Sequence, residues 1–240
     1  MVVKNLTMGN YCNVDLEYPL RKELGRKKRN SAITQAHVAY CHGDKIYAEN
    51  VHFITRLNMS PLSGSRRVLF NKCHMESTDD ALAGTGVYLD CTLHFYGQKP
   101  FWRSDMGGAV FLNCDFYVKH DEERQYFCKA VGPLSIVDCR YHTAKSVYAG
   151  WTHEPTDWLR CYQYNVKMNG QPYVIGADKP YNTVCMDWLN QRNAYRVEVD
   201  GEVVYNTYNL LRGEDNWDIA KWGEFLRQNL FSFEHILERV

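Results

Sequence analysis

The chain has 240 residues, of which 45% are hydrophobic and 23% are charged, and its formal net charge is zero. These values are typical of a protein that buries a core, and the neutral charge gives no reason to expect nucleic acid as a partner. No apolar run approaches the ~18 residues of a membrane-spanning helix, and the first residues, MVVKNLTMGN, lack the apolar segment of a signal peptide.

The N-terminal part of the chain predicts a strand followed by a charged loop. MVVKNLTMGN opens directly on residues that favour a strand, so we expect the N-terminal end of the fold to be truncated. The basic segment RKELGRKKRN at 21–30 is expected to be a solvated insertion, because short charged loops seldom bind a polyanion.

A loose repeat then runs through most of the chain. The segments VYLDCTL (87–93) and VFLNCDF (110–116) are nearly the same, and the cysteine serves as a register mark. Similar segments lie around Cys73, Cys139 and Cys161, while Val51 and Leu6 take the place of the cysteine upstream. A repeat of ~20–50 residues predicts a solenoid in which each turn covers the next.

The repeat unit predicts strands rather than helices. Runs such as HFI, VLF, VYL, VFL and SIV are short and rich in β-branched and aromatic residues, and helical spacing is absent between about 40 and 180. We therefore expect an all-β fold, a right-handed parallel β-helix, with side chains on neighbouring turns about 5 Å apart.

The nine cysteines do not have the spacing of a disulfide framework or of a zinc site. Those at the common phase of the repeat are flanked by apolar residues, where cysteine behaves as a small buried hydrophobic residue. We expect Cys73, Cys91, Cys114 and Cys139 to form an internal ladder of free thiols. No metal and no cofactor is expected.

The pattern changes after Cys185. AYRVEVDGEVVYNTY predicts two strands joined at Asp200-Gly201, and the residues that follow predict a terminal helix with Asp215 or Asn216 as its N-cap. We expect a β-helix over 1–185 and a hairpin and helix over 186–240 that cap its open end.

Polar and aromatic residues at a similar distance before each register cysteine are candidates for a common surface. Asp79 and Asp80 precede Cys91, and Gln98, Trp102, Arg103 and Asp105 precede Cys114. Trp151 and His153 precede Cys161. Two carboxylates on neighbouring turns can act as a general acid and a general base. An arginine can bind a carboxylate group of the substrate, and a tryptophan can pack against a sugar ring. Each of these residues also has a purely structural interpretation, as a turn, a bend or packing under a loop.

Three segments between 44 and 116 resemble the pectin methylesterase family of right-handed parallel β-helices: GDKIYAENVHFI, VLFNKCHMESTDDALAG and GVYLDCTLHFYGQKPFWRSDMGGAVFLNCDF. In that family the aspartate of a QDT motif is the general acid and base, the aspartate of a VDFIFG motif attacks the methyl ester, and glutamines bind the oxyanion. The resemblance implies a carbohydrate esterase that acts on methyl-esterified uronic acid.

The chain departs from the family at the catalytic positions. STDDALAG stands where the family has QDTLY, so the resemblance assigns the acid and base role to Asp79 or Asp80. Gln98 takes the place of the nucleophilic aspartate, and Asp105 follows in an insertion. VYAGWTHEP at 147–155 resembles the family's YLGRPW turn, with Trp151 in place of the arginine and His153 in place of the tryptophan.

The leading hypothesis is therefore a carbohydrate esterase in which Asp105 is the nucleophile, Asp79 or Asp80 the acid and base, and Gln98 the oxyanion donor. Arg103, Trp102, Trp151 and His153 are the predicted substrate-binding residues. The same carboxylates also suit a glycosidase. A calcium-dependent lyase is less favoured because spare acids are few, and a non-catalytic glycan-binding solenoid is the remaining alternative. We expect a monomer with a pectin-like polysaccharide substrate, secreted or periplasmic, with a signal peptide on the complete protein.

Overall fold

The computed structural model describes residues 1–10, 19–25, 39, 41–55, 64–77, 82–186, 192–199 and 201–225. The chain divides into two compact units, Met1–Val184 and Cys185–Val240. Among the described residues, no helix is long and apolar enough to cross a membrane.

The first unit is a parallel β-helix of about five turns, which confirms the predicted fold class. A short 3-10 helix, Lys22–Leu24, lies between the first two strands. The strands in chain order are β1 (Val2–Asn10), β2 (Ile46–Thr55), β3 (Val68–Asn71), β4 (His74–Ser77), β5 (Leu82–Leu89), β6 (Thr92–Phe95), β7 (Phe101–Leu112), β8 (Asp115–Val118), β9 (Arg124–Cys128), β10 (Leu134–Val137), β11 (Arg140–His142), β12 (Tyr148–Thr152), β13 (Cys161–Tyr164), β14 (Lys167–Met168), β15 (Gln171–Pro172) and β16 (Thr183–Cys185).

The strands stack into three faces. The first face contains the start of β2 and then β3, the end of β5, the end of β7, β10 and β13, all paired in parallel. The second face contains the end of β2 and then β4, β6, β8, β11 and β14. The third face contains the start of β7 with β9 and β12. A side chain on one turn therefore has its counterpart about 4.8 Å away on the next.

A residue in the left-handed backbone conformation, with positive φ, forms the corner between the first and second faces. Asn50, Asp90, Asn113 and Asn165 have φ between 48° and 53° at this corner. Asparagine and aspartate tolerate this conformation better than other residues with a Cβ atom. Their side chains also bond from turn to turn, since the Asn113 amide nitrogen donates to the Asp90 carboxylate at 2.7 Å.

The residue after this corner points inward and forms the predicted cysteine ladder. Cys73, Cys91, Cys114 and Cys139 are free thiols with no more than 1% exposure, so the prediction is confirmed. Each thiol donates to a backbone carbonyl of the turn before it, as Cys91 Sγ does to Phe70 at 3.3 Å.

Cys161 does not belong to this ladder, and its predicted register is wrong. It begins β13 on the first face, where Ser135 pairs with Tyr162. The next corner residue is Asn165, so Val166 takes the ladder position after Cys139. Cys161 follows Arg160, which is not among the left-handed residues, and this explains why the chain does not turn there.

Stacked aromatic rings fill the interior beside the cysteines. Tyr88 stacks on Phe70 and on Phe111 with ring centroids 4.7 and 4.6 Å apart. Phe95 stacks on Phe116 at 5.6 Å in the next layer. Burial of a large apolar side chain contributes about 1.5–3 kcal/mol, so these stacks are a main source of stability.

The second unit contains the predicted hairpin, β17 (Arg196–Val199) and β18 (Glu202–Tyr205), which pair antiparallel. The helices are α1 (Arg192–Tyr195) and α2 (Thr207–Leu211). Residues 222–225 are helical, and the remainder of the predicted terminal helix lies outside the described residues. Asp218, rather than Asp215 or Asn216, accepts from the backbone N–H groups at its start. The capping role of this unit stays a prediction.

Candidate functional site

The carboxylates of the predicted pair lie outside the part of the chain that the structure describes. Asp79 and Asp80 lie outside the described residues. Asp105 lies within β7, and its side chain is likewise outside what the structure describes. The catalytic roles of these three residues therefore stay predictions.

Trp151 is buried, which excludes its predicted role as a platform for a sugar ring. The side chain is 3% exposed on the inner side of β12. Its ring stacks on Phe127 with centroids 6.2 Å apart, and its indole N–H donates to Thr183 Oγ1 at 2.8 Å. The tryptophan fills the core, and its polar atom is satisfied there.

Trp102 and His153 lie on the outside of the third face, and their role in substrate binding stays a prediction. They follow Phe101 and Thr152, which both pair with Cys128 of β9. Trp102 is 49% exposed, and His153 and Arg103 are also exposed. Between them Lys129 places its ammonium nitrogen 4.8 Å from the centre of the Trp102 ring, a cation–π contact.

Two tyrosines that the sequence analysis did not single out extend this surface. The ring of Tyr126 stands perpendicular to that of His153 with centroids 5.5 Å apart, and 6.1 Å from that of Tyr148. The Arg124 guanidinium lies 5.1 Å from the centre of the Tyr148 ring and donates to the Tyr126 hydroxyl at 3.2 Å. We call this surface the aromatic strip, and its members are Trp102, Arg124, Tyr126, Lys129, Tyr148 and His153.

The strip is held in place by buried backbone and amide contacts. Gln125, 1% exposed, donates its amide to the backbone carbonyl of Gln98 at 2.9 Å. The same carbonyl accepts from the backbone N–H of Tyr126 at 2.7 Å. Gln98, the predicted oxyanion donor, is thus joined through its main chain to the strand that carries the strip.

One end of the strip reaches an open pocket. The Tyr148 hydroxyl donates to the Asp178 carboxylate, and burial together with this acceptor raises the pKa of Tyr148 well above its usual value. Asp178 lines a pocket of about 260 Å³ together with Pro155, Thr156, Asp157, Lys179, Pro180, Tyr181 and Asn182. Tyr181 is 79% exposed there.

A second polar cluster lies on the outer side of the second face. His74, Glu76 and His94 each bring one possible ligand atom within 4.8 Å of the others. Burial, assisted by the neighbouring His74, lowers the pKa of His94 to about 4, so this ring is neutral at pH 7. The sequence analysis did not single out these residues, because His74 and Glu76 belong to β4 and His94 belongs to β6. Only the pairing of the two strands brings them together.

Further along the same face, Asp115 is held by two partners. Arg140 donates through Nε and Nη2 to its two carboxylate oxygens, both at 2.7 Å, and His142 Nε2 lies 2.7 Å from Oδ1. The Arg140 guanidinium is the main cause that lowers the pKa of Asp115. This network links two turns of the β-helix.

No family model, curated protein or solved structure matches this chain. The resemblance to the pectin methylesterase family therefore stays a prediction made from its sequence motifs.

Proposed function

We propose that the protein binds an acidic, uronate-containing glycan along the aromatic strip. The observation that carries the proposal is the half-exposed Trp102 ring with Lys129 above it and exposed Arg103 beside it in the strand. The apolar side of a pyranose ring packs on an aromatic ring, while side-chain donors bind its polar groups.

The charges of the strip favour an acidic sugar over a neutral one. Arg124 and Lys129 lie within the strip, and Arg103 follows Trp102 directly. Arginine and lysine form charge-assisted hydrogen bonds with carboxylates, and arginine does so with two parallel bonds. Since strands of successive turns repeat every ~4.8 Å, sites on adjacent turns suit an extended chain of sugars.

Calorimetric titration with oligogalacturonate tests this proposal. We expect one binding event whose affinity falls as the salt concentration rises, because charged contacts near the surface are screened. A neutral oligosaccharide of the same length is the control and is expected to bind more weakly. Equal affinity for the acidic and the neutral oligosaccharide would refute recognition of the uronate carboxylates.

Ester hydrolysis is a second candidate function, favoured by the position of Asp105 on the same strand as Trp102 and Arg103. Asp105 would attack the ester carbonyl, and Asp79 or Asp80 would protonate the departing methanol and then activate water. Gln98 would support the oxyanion, and Arg103 would hold a neighbouring uronate. Because pectin-like glycans lie outside cells, we also propose that the protein acts there.

Methanol release from methyl-esterified pectin distinguishes the candidates. An esterase releases methanol, a glycosidase releases reducing ends without methanol, and a binding protein releases neither. If the esterase proposal holds, Asp105→Asn abolishes methanol release while the thermal midpoint stays near that of the wild type. Loss of stability in step with activity would show that Asp105 has a structural role.

A further inference from the structure

A group of two histidines and one glutamate lies on the second face of the β-helix, whereas the aromatic strip lies on the third face. His74 and Glu76 are alternate residues of β4, so both point to the outer side of the second face. His94 belongs to β6 on the next turn and is the registered partner of Glu76. The side chains of His74 and Glu76 are 21% and 18% exposed, so the group is shielded yet reachable from solvent.

The possible ligand atoms of this group lie close enough together to share one metal ion after small side-chain rotations. His74 Nε2 lies 3.0 Å from Glu76 Oε1, and all three possible ligand atoms lie within 4.8 Å of one another. With zinc bonds of ~2.0–2.2 Å, tetrahedral ligands stand roughly 3.3–3.6 Å apart. Small side-chain rotations are therefore enough to bring the three atoms onto one ion.

The geometry points to a binding site for a divalent transition-metal ion, and we propose that His74, Glu76 and His94 are its ligands. Two imidazoles and one carboxylate are typical of zinc and of the neighbouring first-row metals. Three protein ligands leave at least one coordination position for water or another ligand. The proposal is independent of the glycan-binding function.

The surroundings of the group suit a metal ligand set. The rings of His74 and His94 are in contact, with centroids 4.7 Å apart and nearly perpendicular planes. The centre of the Tyr117 ring lies 5.1 Å from that of His94, and the centre of the His52 ring lies 5.2 Å from that of His74. A bound ion would join β4 to β6 and so tie two turns of the β-helix together.

Titration of the metal-free full chain with ZnCl₂, at pH 7 and with thiols kept reduced, tests the site. We expect one ion per chain and a thermal midpoint that rises with zinc concentration, because the folded state binds the ion preferentially. His94→Ala and Glu76→Gln are each expected to weaken binding by more than the roughly 10–100-fold that loss of an outer-shell partner causes. His142→Ala is the matched control, since this histidine lies on the same outer column two turns away.

Circular dichroism of each variant checks that it is folded, and the Glu76→Gln variant retains the shape of the side chain. The absorption spectrum of the Co²⁺ form then identifies the ligands, because cobalt–thiolate bonds give a charge-transfer band that histidine and carboxylate ligands lack. The proposal is overturned if the wild type retains no zinc, if His94→Ala and Glu76→Gln bind as tightly as the wild type, or if the cobalt spectrum shows thiolate ligation.

Discussion

Gly150 lies directly beneath the ring of Tyr126, its partner in the third face. A Cβ atom at Gly150 would stand 2.9 Å from Tyr126 Cδ1 and 2.9 Å from Tyr148 Cε1. Both rings rest on the bare backbone of this glycine. The smallest residue in β12 therefore determines where two tyrosines of the aromatic strip lie.

Gly150→Ala is expected to displace these rings and to weaken glycan binding about tenfold, which corresponds to ~1.4 kcal/mol. The free energy of unfolding is expected to fall by roughly 1–2 kcal/mol, because the added methyl group must displace both rings and the smaller conformational entropy of the unfolded variant offsets only part of that cost. Calorimetric titration and a thermal melt measure both quantities. Gly43→Ala, at a glycine outside the strip, is the control and should leave binding unchanged.

Lys72 occupies a corner position that suits asparagine better. Its φ is 52°, as in the asparagines and aspartates at the same corner of other turns. Lys72→Asn is expected to raise the free energy of unfolding by roughly 1 kcal/mol. The thermal midpoint should then rise by roughly 2–4 °C. Lys99→Asn, at a position without positive φ, should give no increase, and an equal increase in both variants would contradict the corner explanation.

The ladder cysteines should be protected from thiol reagents in the folded protein. Burial raises the pKa of Cys91 and Cys114 well above the usual value, so these thiols are protonated and screened from solvent. Among the cysteines that the structure describes, Cys185 is exposed and should be labelled first. Peptide mapping after brief alkylation checks the order. Labelling of Cys91 or Cys114 as fast as Cys185 would contradict the ladder.

The Asp115–Arg140 pair gives part of the stability a pH dependence. Arg140 lowers the pKa of Asp115 in the folded state, so the pair stabilises the fold above the unfolded pKa of about 4. This stability is lost as the pH falls through the lower folded value. Asp115→Asn should destabilise the protein by roughly 1–2 kcal/mol at pH 7. Denaturant unfolding at pH 7 and at low pH measures the loss of stability that Asp115→Asn causes. This loss should be smaller at low pH. An equal loss at both pH values would show that the charge of Asp115 does not contribute.

The sequence was sufficient to predict the β-helix and most of its register, because small apolar residues must recur wherever the chain turns inward. It failed at Cys161 because the residue that fixes the corner is the left-handed Asn165, whereas cysteine is only one of several residues that fit the next position. A register based on the cysteines alone therefore places the inward-pointing residue of the last turn at Cys161, five residues before its actual position at Val166.

The candidate sites were predicted less completely than the fold. Distance from a register cysteine does not specify whether a side chain points in or out, so the buried Trp151 and the exposed His153 were both placed on the surface. Tyr126 and Tyr148 join the strip, and Gly150 lies beneath their rings, only through pairing between turns. His94 likewise meets His74 and Glu76 only because β6 stacks on β4. Contacts of this kind become visible once the register is known.

The affinity of Trp102→Ala for oligogalacturonate tests glycan binding by the aromatic strip most directly. Among the cation–π contacts of the described residues, that of Trp102 involves the most exposed ring. Replacing Trp102 removes both the stacking surface and the partner of Lys129. Trp158→Ala, at a tryptophan that is 66% exposed outside the strip, is the matched control. We predict at least a tenfold loss of affinity for Trp102→Ala, with wild-type affinity for Trp158→Ala. Wild-type affinity in Trp102→Ala, or equal losses in both variants, would contradict binding at the strip.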